Sequence, residues 1–198
     1  MINNAISYAN KVFAQIGVRI VVAGKIEEKT EPEGLRDVID ISNDAHRSTL
    51  SKIVDDDYWH TLDVIFYYGI LTGGGETENF AGYALGYIPN REPLVLVSGM
   101  QFGTVFPGRA YFKRELGTIL AHEISHALGI RADYDDSTAL MYPKLVNSEV
   151  DFWSDINAQK RIGPYSHPGG GGVKWDDHRR MRDGALYLRY WYQREVKK

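Results

Sequence analysis

The chain has 198 residues, 43% of them hydrophobic and 25% charged, with a formal net charge of −3. These values fit a single soluble globular domain with a real core, and they give no footing to a basic nucleic-acid or membrane-surface face. There is no cysteine, which excludes disulfides, thiolate metal sites and cysteine nucleophiles from this chain.

No stretch reaches the roughly eighteen apolar residues of a membrane span. The opening MINNAISYANKVFAQIG has neither the basic and apolar regions nor the small-residue cleavage site of a signal peptide. A precursor segment removed beforehand would leave the same start, so the compartment stays open: secreted in that case, cytoplasmic otherwise.

Ile2, Ile6, Ala9, Phe13 and Ile16 recur at steps of three and four, predicting an amphipathic helix that Gly17 ends. Val18, Ile20 and Val22 then alternate like a half-buried strand. EEKTEPEG reads as a loop, and a weaker helical pattern follows around Leu35, Val38 and Ile39. LDVIFYYG, from Leu62 to Gly69, predicts a strand closed by glycine. After the loop LTGGGETENFAG come two more strands, GYALGYIP and PLVLVS. Phe112, Leu116, Ile119, Leu120, Ile124, Ala127 and Leu128 trace one face of a helix terminated by Gly129. SDINAQKRI predicts a short capped helix, PYSHPGGGG a linker or loop, and Met181, Ala185, Leu188 and Tyr192 a last helix capped by Asp176 or Asp177. The order implies an α+β fold with a mixed sheet.

The chemistry concentrates in HEISH. On a helix, His122 and His126 lie one turn apart on one side and can aim both imidazoles at one ion. Glu123 then stands beside that ion, placed to hold and deprotonate a water. Zinc suits such a set, because it takes nitrogen and oxygen ligands and in catalytic sites keeps one position open. Bound there, it acidifies water and polarises a carbonyl, which is what hydrolysis of a peptide bond requires. HExxH arises by chance in roughly one chain of this length in a hundred. Its placement on an otherwise apolar helix face, where two histidines and a glutamate are costly to bury unpartnered, favours the metal site.

HEISHALG followed by ALMYP resembles the metzincin clan of zinc peptidases, closest to its matrixin branch. The clan pattern is HExxHxxGxxH, ending in aspartate in the snapalysin type, followed by a methionine-containing turn beneath the metal. His122, Glu123, His126, Gly129 and Met141 stand at the matching positions. The resemblance extends loosely over residues 1–162, and the tail from Gly163 onward matches nothing in it. It implies a single zincin-like catalytic domain over 1–198. An N-terminal lobe would run to Gly129 and a smaller C-terminal lobe from 130 to 198, with the active-site cleft between them.

This chain departs from the pattern at one place. The third ligand of the family sits ten residues after the first, where this chain has Ala132, and Met141 comes 19 residues after His122, about one later than in matrixins. One inserted residue after Gly129 explains both shifts and nominates Asp133, with Gly129 letting the chain leave the helix sharply. Asp135 and Asp136 compete closely; His167, His178 and Glu149 are more distant candidates. A solvated acidic turn, or one suited to calcium, is the ordinary reading of the Asp133–Asp136 run.

Met141 resembles the methionine floor under the zinc, although an ordinary core methionine would make the same contact. Tyr142 follows it directly, and Pro143 occupies the place of the family's metal-contacting tyrosine, so Tyr142 receives no catalytic role. Tyr142, Pro143, Lys144 and Leu145 would instead wall the pocket for the substrate side chain after the scissile bond. GYALG resembles the edge strand to which a peptide substrate adds. His46 and His60 read as surface or structural histidines, and the aromatic run from Tyr187 to Tyr192 as helix packing.

The expected activity is thus a zinc-dependent endopeptidase acting on a peptide or protein, with Glu123 as general base and His122, His126 and Asp133 on Zn2+. No nucleic-acid or membrane partner is expected, and the oligomeric state is left open. Two alternatives stand beside it: another zincin subclass with its third ligand elsewhere, and a binding or inactive protein holding zinc structurally.

Overall fold

The N-terminal apolar stripe forms α1 (Ile2–Phe13), which tightens into a 3-10 turn at Ala14–Ile16. Gly17 ends it at φ 70°, and the bonds Gly17 N–H to Ala14 O and Val18 N–H to Phe13 O close the glycine C-cap. The computed structural model describes residues 2–30, 32, 35, 38–54, 61–67, 69–71, 82–85, 94–98, 112–130, 140–141, 180–186 and 188.

The next segment corrects the sequence reading. Val18 to Val22 form no strand, although Val18 and Ile20 still pack on the core as their alternation required. The Asn10 side chain takes the place of a neighbouring strand. Its Oδ1 accepts from Ile20 N–H at 2.6 Å and its Nδ2 donates to Ile20 O at 3.2 Å. Val22, the third of the alternating residues, is 46% exposed, so the alternation reaches the core only as far as Ile20.

The helical pattern around Leu35 to Ile39 is also overturned. Val38–Asp40 is a strand, β1, and the helix starts later, as α2 (Asp44–Ile53). β-branched Val38 and Ile39 favour the extended chain. Asn43 then caps α2 by accepting from Ala45 N–H at 2.9 Å. The Asp40 carboxylate accepts from the Ser42 hydroxyl and the Ser42 N–H, and these bonds hold its pKa below the usual value. His46 accepts the Asp40 N–H through Nδ1, so it is a structural histidine.

β2 (Asp63–Tyr67), β4 (Gly82–Leu85) and β5 (Leu94–Ser98) make a mixed three-stranded sheet in the order β2-β5-β4. β5 is central, parallel to β2 and antiparallel to β4. β3 (Gly69–Leu71) pairs in parallel with β1. Strand alternation sorts the two cores: Val64, Phe66, Ala84, Val95 and Val97 face the one shared with α1, whereas Ile65, Tyr67, Tyr83, Leu94 and Leu96 face one closed by Leu35, Ile39 and Leu50.

α3 (Phe112–Ala127) fills the first core between α1 and the sheet. Its approach to α1 depends on Gly117, since an added Cβ would stand 2.5 Å from Tyr8 Cβ. This also explains why the buried face of α1 centres on Ala5, Tyr8, Ala9, Val12 and Phe13, rotated from the isoleucine stripe. Gly117→Ala is expected to cost about 1–3 kcal/mol by overpacking. Chemical denaturation checks it: an unchanged midpoint would show that α1 is not clamped there.

Beyond α3, Leu140, Met141 and Met181 are buried in the same core. Residues 180–186 are helical, as their periodicity predicted, and a Cβ at Gly184 would lie 2.7 Å from Leu128 O. That close contact braces the end of α3. Among the described residues no helix is long and apolar enough to cross a membrane.

Candidate metal centre

Because α1 and the sheet cover opposite sides of α3, burial is not confined to one face as the apolar periodicity predicted. From 116 to 128 every residue is buried except His122 and His126, which are half-exposed. The open strip of the helix is thus the pair spaced one turn apart. Glu123, one residue over, turns inward and is only 7% exposed.

Main-chain carbonyls set the orientation of both rings. His122 Nδ1 lies 2.8 Å from Leu140 O, and His126 Nδ1 lies 2.7 Å from Ile130 O. A carbonyl only accepts, so each Nδ1 carries a proton, and Nε2 is the ring nitrogen left to face a metal ion. The two Nε2 atoms converge to 3.1 Å, with ring planes at 82°. Two lone pairs this close repel unless a metal ion or a shared proton stands between them. The spacing also approaches the edge of a tetrahedron, roughly 3.3 Å, built on zinc–nitrogen distances of about 2.0–2.1 Å. In distance and tautomer, the pair fits one shared metal ion.

Local folding explains where the two carbonyls come from. At the end of α3, Gly129 adopts φ 114°. Ile130 N–H then bonds Ser125 O at 3.1 Å and Gly129 N–H bonds His126 O at 2.9 Å, the paired bonds of a Schellman cap. The reversal turns Ile130 back over the helix, where its carbonyl meets His126. Gly129 was expected to free the chain for Asp133; its described effect is to orient His126. Leu140, beside fully buried Met141, provides the other carbonyl. Met141 is therefore a core residue one position from the group that holds His122. The buried Ser125 hydroxyl donates to Ala121 O at 2.7 Å, which satisfies it within the helix.

No family model, curated protein or solved structure matches this chain. What the site can do is therefore read from its own residues.

Among the described residues no group of three metal-ligating side chains stands together. The histidine pair is described; Asp133, Asp135, Asp136, Glu149, His167 and His178 lie outside the described residues, as do His60, Tyr142 to Leu145, SDINAQKRI, PYSHPGGGG and the run from Tyr190 to Tyr192. Sequence reasoning missed three contributors: the carbonyls of Leu140 and Ile130, and Gly82. The carbonyls have no residue signature of their own, whereas Gly82 was visible as a glycine inside a strand pattern, which marks a close approach.

Proposed function

We propose that this protein is a zinc-dependent endopeptidase of metzincin type. The observation that carries the reading is the convergence of the His122 and His126 Nε2 atoms at 3.1 Å, with both Nδ1 atoms committed to carbonyls. A buried acid one residue along the same helix adds to it.

In this reading His122 and His126 would hold zinc through Nε2, and Asp133 would contribute a carboxylate oxygen. Zinc supplies Lewis acidity, which acidifies water and polarises the scissile carbonyl. Glu123 takes the proton of the attacking water and returns it to the departing amine. Its burial keeps solvent from competing for that proton. β4 pairs only with β5 among the described residues, and its other edge would accept an extended peptide through main-chain hydrogen bonds. The Glu123 side chain lies against Gly82 of β4, so the base and the peptide would meet at the same strand.

The test is cleavage of an unstructured protein such as casein, with and without a chelator, alongside the zinc content of the purified protein. Hydrolysis that the chelator abolishes and added zinc restores supports the reading. Bound zinc without hydrolysis would instead favour a structural metal on an inactive scaffold.

The displaced third ligand has its own expectation. Asp133→Ala should weaken zinc affinity and activity together by about 10²–10³-fold, a share of the 10–16 kcal/mol typical of four-ligand zinc sites. Asp135→Ala and Asp136→Ala should change each by much less. Zinc titration checks this, and a large loss in one of those variants with none at Asp133 would transfer the third position.

A further inference from the structure

Gly82 opens β4, yet its backbone does not need a glycine: the described glycines with positive φ are Gly17 and Gly129. A glycine inside a strand weakens it and, without a backbone reason, marks a place where something comes close. Here that neighbour is the Glu123 side chain. A Cβ at Gly82 would stand 2.6 Å from Glu123 Cγ, 2.7 Å from Oε1 and 2.9 Å from Cδ.

We infer that Gly82 is a positioning residue for Glu123, the missing side chain making the seat in which the carboxyl lies against β4, one residue along the helix from His122. The inference rests on the peptidase reading of this site. Neither backbone is free to retreat. β4 is held to β5 through the Gly82–Val97 and Ala84–Val95 pairs, and Ala84 packs in the core on the same face as Gly82. α3 is wedged from the far side by α1 at Gly117. A methyl group at position 82 therefore moves the flexible part, the Glu123 side chain, and leaves the histidines on their carbonyls. Strand and base are coupled: the strand that would bind the peptide also fixes the group that activates water.

Gly82→Ala and the double variant Gly82→Ala/Glu123→Ala, made on the full chain, test the seat. The single variant is expected to fold and keep its zinc, with kcat on casein lowered about 10²-fold, the usual cost of displacing a catalytic group by an ångström, and KM nearly unchanged. Its unfolding midpoint should fall by roughly 4–8 °C from overpacking. In the Glu123→Ala background, where the obstructing atoms are gone, the same methyl should shift the midpoint by no more than about 2 °C and add no further loss of kcat.

A parent-like kcat in Gly82→Ala overturns the inference and leaves the peptidase reading standing. Zinc loss from the folded variant also overturns it, because the methyl would then act on the histidines. Should Gly82→Ala fail to fold, recovery of folding in the double variant supports the seat and continued unfolding overturns it. Absence of chelator-sensitive hydrolysis in the parent sinks the peptidase reading and, with it, the catalytic part of this one. The midpoints then decide the seat alone: equal shifts in the two backgrounds overturn it.

Discussion

Replacing Glu123 by alanine is expected to lower hydrolysis by about 10²–10⁴-fold, the range of a lost general base, while zinc stays bound. The separation follows from where the side chains go. His122 and His126 take their orientation from Leu140 O and Ile130 O, neither of which involves Glu123. The Glu123 carboxyl instead lies inward against Gly82, at 7% exposure. Removing it leaves the two histidine–carbonyl bonds in place, so both rings should keep their orientation in the variant. Casein cleavage and zinc content, measured on the same preparation, check both halves. Cleavage near the parent rate would end the proposed mechanism, and loss of zinc would mean that Glu123 supports the ion.

Legibility in the sequence followed the kind of interaction that fixes each part. α1, β2, β4, β5 and α3 could be read because side-chain periodicity records burial directly, and glycine at the helix ends records a backbone conformation few residues adopt. Gly17 and Gly129 both stop helices where the sequence placed the stops. Pairing was not legible in the same way. Val18 to Val22 have a strand's alternation, but an asparagine on α1 occupies the main-chain groups that a ladder would use. Leu35 to Ile39 mimic a helical stripe, and the decision for β1 comes from its partner β3, about thirty residues later.

The candidate site divides along the same line. HExxH is local, so the spacing that brings two imidazoles together is visible in five letters. The groups that orient those imidazoles are main-chain carbonyls, one from a cap four residues on and one from a turn eighteen residues on. Any residue type carries a carbonyl, so sequence could not single out Leu140 or Ile130. The apolar periodicity of α3 also suggested one buried face, whereas from 116 to 128 the chain is covered on two sides and opens only along His122 and His126. Gly117 explains part of the difference: it lets α1 close in where a larger side chain would hold it off.

His126→Asn should remove the metal while sparing the fold, the second of the two largest effects expected. Asparagine places its side-chain nitrogen close to where imidazole carries Nδ1, so the bond to Ile130 O, 2.7 Å in the parent, can be kept. Nothing in asparagine reaches the position of Nε2. The substitution therefore separates two roles that alanine would remove together, ligation and the anchoring of the Schellman turn. Zinc affinity is expected to fall by about 10²–10³-fold, one ligand's share of a typical zinc-site binding energy. Loss of the orienting bond alone would cost less, about 10–100-fold. His122→Asn should behave alike, its amide replacing the bond to Leu140 O. Competition with a chromophoric chelator gives the affinities, and circular dichroism shows whether α3 persists. Parent-like zinc affinity in both asparagine variants would take the ion away from this helix. The 3.1 Å approach of the two Nε2 atoms would then be left to a single shared proton, with one ring charged and donating to the other.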